Sequence, residues 1–115
     1  PYYEQCLRTV QSLRQALQLN AEQAMVSFQS RFGKERWLEP YTTTILQQLG
    51  KDKRSRVDVF CPGFPADCLE TLEEIAMEGG DTFRESGGGT YHAIPCLNHT
   101  PAWIAALAQI VQENL

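Results

Sequence analysis

The chain has 115 residues, of which 43% are hydrophobic and 21% are charged, and this composition is typical of one folded globular domain with a modest core. Its formal net charge of −4 argues against nucleic acid as a partner. No apolar run approaches the roughly 20 residues that span a bilayer and no signal-peptide pattern opens the chain, so we expect a cytoplasmic protein.

The first half of the chain predicts two helices and one strand. Apolar residues recur at near-helical spacing and predict a helix over about 3–19. The segment AMVSFQS predicts a short strand over about 24–29, and a helix over about 41–49 follows, closed by Gly50. We interpret the basic cluster at 51–56 as a solvated loop.

A second strand and a second main helix follow. The segment RVDVFC alternates and is rich in valine, which predicts a strand over about 56–61. Asp67 is predicted to be the N-cap of the helix, and Glu70 completes a capping-box pattern three residues later. The pair Gly79 and Gly80 should end or weaken this helix.

The last elements complete an alternating order. A glycine-rich turn leads to a short strand over about 90–94, and Thr100 then caps a final helix with Pro101 at its first position. The predicted order is α-β-α-β-α-β-α, which favours an α/β fold with a Rossmann-like parallel sheet flanked by helices.

Three unusual stretches follow the predicted strands, at residues 29–33, 61–67 and 95–98. In open parallel sheets, ligands bind beyond the carboxyl ends of the strands. If the sheet is parallel, the three stretches meet along one edge, and the topology alone therefore predicts a functional site there.

Three glutamates follow one another at four-residue spacing on the second main helix: Glu70, Glu74 and Glu78. They fall about 40° apart on a helical wheel. The opposite, apolar side is predicted to consist of Leu69, Leu72, Ile75 and Ala76. Carboxylates spaced about 6 Å along an axis can pass a divalent cation or a proton between neighbours, but the same pattern is typical of the solvated face of an amphipathic helix. The spacing leaves both interpretations open.

The cysteines and histidines give no site pattern of their own. The four cysteines contain no C-x-x-C pair, and without a secretory signal we expect reduced thiols. Cys61 ends an apolar run and is interpreted as a small buried residue. His92 and His99 are isolated in sequence and are interpreted as surface or packing residues.

Four segments resemble the carboxyl-terminal half of bacterial ferrochelatase: VSFQSRFG, WLEPYT, CPGFPADCLETLEEIA and IPCLN-x-x-P. They occur in the family's order and at roughly its spacing, and the resemblance covers essentially the whole chain. The D-C-L-E-T-L-E-E segment is its most diagnostic part.

The resemblance implies a chelatase of two similar α/β domains with a porphyrin cleft between them, in which residues 1–115 form the single carboxyl-terminal domain. Such an enzyme inserts ferrous iron, which is a substrate, into protoporphyrin IX and needs no organic cofactor. The family's catalytic glutamate matches Glu70. Acidic residues one and two turns later match Glu74 and Glu78, which the family uses as a line for metal or protons. The resemblance also implies a wide π-type turn in this helix.

The sequence departs from the family pattern in three ways. The catalytic histidine of an S-F-H-G-like motif would precede Pro1, so we expect the isolated fragment to be inactive and the upstream half of the protein to be its partner. Cys68 stands where some members have a histidine, which leaves the role of that position open. Certain members bind a [2Fe–2S] cluster through a carboxyl-terminal extension, and because the chain ends at Leu115 we expect no iron–sulfur cluster.

The remaining expectations concern pocket and partners. Candidates for the porphyrin pocket are Gln29, Ser30, Phe32 and Trp37, although the last two are equally typical of a core. A hydrophobic substrate such as a porphyrin is compatible with loose membrane association. An uncovered sheet edge would allow the fragment to dimerise. Two other functions stay open, namely a related tetrapyrrole chelatase and a non-catalytic α/β domain that binds a partner.

Overall fold

The computed structural model describes residues 1–29 and 38–115. The chain divides into two compact units, Pro1–Ile45 and Leu46–Leu115. The helices are α1 (Tyr2–Leu17), α2 (Thr42–Lys51), a π-helix (Glu70–Gly79), α3 (Gly80–Glu85) and α4 (Pro101–Glu113), and the strands are β1 (Arg56–Val59) and β2 (Thr90–Ala93). The predicted α/β class, with a small parallel sheet flanked by helices, is therefore confirmed. That residues 1–115 form a single domain stays a prediction.

The first unit contains α1 and a short extended segment. The helix stops two residues earlier than predicted because Gln18 adopts a left-handed conformation, with a φ of 56°, and its amide donates to the carbonyls of Arg14 and Gln15. No residue of α1 is buried. The main apolar contact of the segment is made by Phe28, whose ring lies 5.7 Å from that of Tyr3.

The predicted strand over 24–29 is wrong. Only Phe28 pairs there, in an isolated parallel bridge to Tyr41. The preceding backbone is held in local bonds instead, because the carboxamide of Asn20 accepts the amides of Glu22 and Gln23. The Ala24 amide likewise donates to the Asn20 carbonyl. This Asx-type turn competes with an extended ladder, so the first β element of the predicted order is absent from residues 24–29.

The second unit is built on the parallel pairing of β1 and β2. Their register places Val57 opposite Tyr91 and Asp58 opposite His92. Side chains alternate between exposed and half-buried along both strands, as a sheet with one covered face requires. His92 and His99 are exposed, which agrees with their interpretation as surface residues.

The core of this unit is small. Its most buried side chain is Phe83, which is fully buried, and Leu46, Ile75 and Cys96 are each 3% exposed. Cys61, in contrast, is only half-buried. All four cysteines are free, and their reduced state stays a prediction. Among the described residues, no helix is long and apolar enough to cross a membrane.

The buried face of the second main helix differs from the predicted one. Thr71, Ile75 and Gly79 are buried, whereas Leu69 and Leu72 are 70% and 55% exposed. The prediction assumed an α-helical period, but each turn of a π-helix closes between residues i and i+5. The wider turn changes which positions face the core, and positions 71, 75 and 79 occupy that side here. The pair Gly79 and Gly80 does not end the helix, which continues as α3.

We predict that Phe83→Ala destabilises the protein by about 3–5 kcal/mol, because the ring is fully buried and leaves a cavity. The control is Phe60→Ala, since Phe60 is 38% exposed and its loss should cost much less. Denaturant unfolding of the two variants measures both values. Equal costs would show that Phe83 is not the centre of this core.

Candidate functional site

A cavity of about 100 Å³ lies beyond the carboxyl ends of β1 and β2. Its lining includes Cys61 after β1, Ile94 and Pro95 after β2, and Thr71 and Ile75 of the π-helix. Two of the three predicted stretches, 61–67 and 95–98, therefore meet at one sheet edge, as the parallel topology requires. The prediction for the third stretch stays a prediction, because residues 30–33 lie outside the described residues.

The side chain of Asn98 joins these two stretches. Its Oδ1 accepts the backbone amide of Asp67 at 2.8 Å, and its Nδ2 donates to Asp67 Oδ2 at 2.9 Å. The amide of Asn98 also donates to the carbonyl of Pro65 at 2.8 Å. Asn98 takes a left-handed conformation with a φ of 50°, which asparagine tolerates better than most residues. We call these contacts the Asn98–Asp67 clamp.

The carboxylate of Asp67 collects further donors. The Thr71 hydroxyl donates to Oδ1 at 2.9 Å, and the Cys96 amide donates to Oδ2 at 3.3 Å. Hydrogen bonds from Asn98, Cys96 and Thr71 hold the pKa of Asp67 below its usual value. Asp67 therefore remains ionised at neutral pH.

The predicted capping box at Asp67 and Glu70 is wrong. The structure gives the π-helix no side-chain cap at its start. The Asp67 amide, which the Glu70 side chain would accept in a capping box, donates to Asn98 instead. Locally, the Thr71 hydroxyl accepts the Cys68 amide at 2.9 Å. The carboxylates of Asp67 and Glu70 therefore do not cap the π-helix.

Glu70 lies half-buried at the start of the π-helix. The Cys68 thiol donates to its Oε2 at 3.0 Å. This bond is the main cause that lowers the pKa of Glu70, and a bond from its own amide adds to it. The bond favours the ionised form of the carboxylate, which suits attraction of a cation and makes it a weaker proton acceptor.

The other two glutamates differ in exposure. Glu74 is half-buried and Glu78 is exposed. The charge of Glu74 reaches Cys61, whose pKa is raised by burial first and then by Asp67, Cys68 and Glu74. Within residues 1–29 and 38–115, no three His, Cys, Asp or Glu side chains are arranged to hold a metal ion. The metal role of the three glutamates stays a prediction.

The same helix also exposes apolar side chains. Leu69, Leu72 and Met77 are 70%, 55% and 64% exposed. Leu72 also lines the cavity. A charged carboxylate at position 70 is therefore accompanied by apolar surface, which is the combination that an apolar ligand with a reactive polar centre requires.

Sequence reasoning missed the roles of Thr71 and Asn98. Asn98 belongs to the stretch 95–98, which is predicted to lie at this edge of the sheet, but no sequence pattern pairs it with Asp67. Of the predicted pocket residues, Gln29 is half-buried in the Pro1–Ile45 unit. Ser30, Phe32 and Trp37 lie outside the described residues.

Comparison with known proteins decides the family. The ferrochelatase family model matches residues 1–115. The chain belongs to the ferrochelatase family. It is 58% identical to the ferrochelatase of Chromobacterium violaceum and 56% identical to that of Methylobacillus flagellatus, in both cases over all 115 residues.

The match covers the whole chain but only part of each relative. The chain spans 32% and 33% of the length of these two ferrochelatases, which are enzymes by name. Most of each ferrochelatase therefore lies outside the region that the chain matches, and the activity of the whole protein has to be inferred.

We predict pH responses of different size for two substitutions of Asn98. Because the folded-state pKa of Asp67 is depressed, its contribution to stability is present above the unfolded pKa and is lost as pH falls through the folded value. Asn98→Asp keeps an acceptor for the Asp67 amide but places a second carboxylate beside that of Asp67. This raises the pKa of the pair, so the variant should be least stable at neutral pH and recover relative to the parent as pH falls.

The matched control is Asn98→Gly, which keeps the left-handed backbone and removes the carboxamide. Relative to the parent it should lose stability at neutral pH, and this deficit should narrow at acid pH only by the part of the Asp67 contribution that depends on Asn98. The narrowing should be weaker than for Asn98→Asp, which also relieves a repulsion between two carboxylates. Melting temperatures between pH 4 and pH 7 compare the two variants. Identical pH profiles would contradict the clamp.

Proposed function

We propose that this chain is a carboxyl-terminal part, about a third of the length of its relatives, of a ferrochelatase that inserts ferrous iron into protoporphyrin IX, with Glu70 as the carboxylate that handles the metal or its displaced protons. The observation that carries this proposal is the state of Glu70. It occupies the family's glutamate position, is half-buried, and directly precedes Thr71, which lines the cavity at the carboxyl edge of the parallel sheet. Its pKa is lowered by the Cys68 thiol.

The chemistry explains why an ionised carboxylate belongs there. Two pyrrole protons must leave as iron enters the macrocycle, and an ionised carboxylate can accept a proton or attract ferrous iron. Glu74 and Glu78 follow on the same helix, and we propose that they extend this path toward solvent, since exposure increases from Glu74 to Glu78. The exposed side chains of Leu69 and Leu72 would contact an apolar ring face.

The proposal assigns the rest of the site to the upstream half of the protein. That half would supply the catalytic histidine and the opposite wall of the porphyrin cleft. The surface of α4 supports such a partner, because an apolar row is uncovered there. Its members Ile104, Leu107, Ile110 and Val111 are between 37% and 57% exposed.

Iron is a substrate in this proposal, and we propose neither an organic cofactor nor an iron–sulfur cluster. We place the enzyme in the cytoplasm, with loose membrane association because protoporphyrin partitions into lipid. Coproporphyrin and other tetrapyrroles are the alternative substrates, and side-by-side assays with protoporphyrin and coproporphyrin distinguish them.

We predict that Glu70→Gln lowers iron insertion by orders of magnitude in a full-length protein that contains these residues. Glutamine preserves the shape and can still accept the Cys68 thiol, but it cannot take up a proton. Glu73→Gln is the matched control, because Glu73 is an exposed neighbour on the same helix. Turnover is measured with ferrous iron and protoporphyrin IX, together with the melting temperature.

The melting temperatures of both variants should stay close to that of the parent. Turnover of Glu70→Gln equal to that of Glu73→Gln would contradict the assignment of Glu70. Insertion activity that survives in both variants would mean that the row of Glu70, Glu74 and Glu78 is an ordinary solvated helix face.

We predict that the 115 residues alone insert no iron, because the proposed cleft needs groups from both halves. Adding the separately expressed upstream half should restore part of the activity through docking. The measurement is haem formation by absorbance, with each half alone as control. Iron insertion by the fragment alone would show that His92 or His99 has a catalytic role.

A further inference from the structure

The hydroxyl of Tyr91 on β2 donates to the carbonyl of Ile75 in the π-helix, at 2.6 Å. In a π-helix each carbonyl accepts the amide five residues later, and for Ile75 that residue is Gly80. The Gly80 amide donates to the carbonyl of Met77. A side chain from the sheet thus donates a hydrogen bond to the Ile75 carbonyl near the junction of the π-helix and α3.

Two glycines make room for the phenol ring. A Cβ atom at Gly79 would lie 2.6 Å from the Tyr91 oxygen and 3.4 Å from its Cζ, and one at Gly80 would lie 3.1 Å from Tyr91 Cδ1. The ring also packs against Phe83, with 6.1 Å between centroids. Any side chain at Gly79 would therefore have to displace the hydroxyl from its bond.

Burial keeps the hydroxyl in its donor form. It raises the pKa of Tyr91 to about 12, so the phenol holds its proton throughout the physiological range. The phenolic proton can therefore be given to the Ile75 carbonyl without competition from ionisation.

We infer that Tyr91 is a positioning residue that fixes the wide register of the π-helix and thereby the direction of Glu78 relative to Glu70 and Glu74. The inference rests on the proposed function, in which these glutamates carry metal or protons. The Ile75 carbonyl directly follows Glu74 and precedes Glu78 by three residues. A change of register by one residue turns the following side chains by about 100°, so loss of the bond redirects Glu78 relative to Glu70.

The first test is Tyr91→Phe in the full-length protein, with Tyr3→Phe as a matched control on α1. The variant keeps the ring and loses only the hydroxyl. We expect kcat/KM for ferrous iron to fall by about tenfold to a hundredfold, while KM for the porphyrin changes by less than about twofold. Amide hydrogen exchange in the segment 75–80 should also become faster, whereas Tyr3→Phe should change none of these quantities.

The second test approaches the same bond from the helix. Gly79→Ala would normally favour a helix, so a loss of iron kcat/KM and faster exchange at 75–80 would report displacement of the Tyr91 hydroxyl. In Gly79→Ala/Tyr91→Phe, the second substitution removes the nearest atom that the new methyl group meets, the Tyr91 oxygen at 2.6 Å, while Leu46 Cδ1 at 3.2 Å remains. The two effects should then be clearly less than additive.

The outcomes separate this inference from the proposed function. If the parent protein inserts no iron, the proposed function fails, while hydrogen exchange and the double variant still decide whether Tyr91 holds the helix. Unchanged exchange at 75–80 in Tyr91→Phe overturns the inference, and so does full additivity. A uniform loss of folded protein, with kinetic constants per folded molecule unchanged, also overturns it. If Tyr91→Phe does not fold, Gly79→Ala gives the same readouts.

Discussion

The Asn98–Asp67 clamp is the contact on which the geometry of the site depends. Parallel pairing of β1 and β2 brings both stretches to one edge, but the carboxamide of Asn98 joins them by bonding to the amide and the carboxylate of Asp67. The same carboxylate accepts the hydroxyl of Thr71 inside the π-helix. One side chain in the loop after β2 therefore fixes where the helix begins, and with it the place of Glu70.

The π-helix buries less apolar surface than the predicted α-helix and exposes more of it. The predicted α-helical period places Leu69 and Leu72 on the buried side, where full burial of a leucine is worth about 1.5–3 kcal/mol. The wider turn buries Thr71 and Gly79 instead and leaves both leucines mostly exposed. An arrangement that forgoes apolar burial beside a charged glutamate is better suited to a ligand or partner surface than to the core of this unit.

Features set by local pattern could be predicted from the sequence, whereas those set by tertiary contacts could not. The periodicity of α1 and the valine-rich alternation of β1 gave their positions to within about two residues. The prediction of a strand at 24–29 is wrong because only Phe28 forms a β-bridge there. The side chain of Asn20 binds the amides just before this segment. The cap at Asp67 failed because Asn98, 31 positions away in sequence, takes its amide. No local pattern could have revealed that competition.

The electrostatics of the site follow from the kind of donor that stabilises its carboxylates. Asp67 and Glu70 both have lowered pKa values, and the causes are neutral donors: a carboxamide, a hydroxyl, a thiol and backbone amides. A lysine or arginine would lower the pKa equally well, but it would cancel the charge. Neutral donors keep both groups ionised and leave their negative field intact. Of the two groups, Asp67 lines the cavity, so its uncancelled charge acts on whatever enters there.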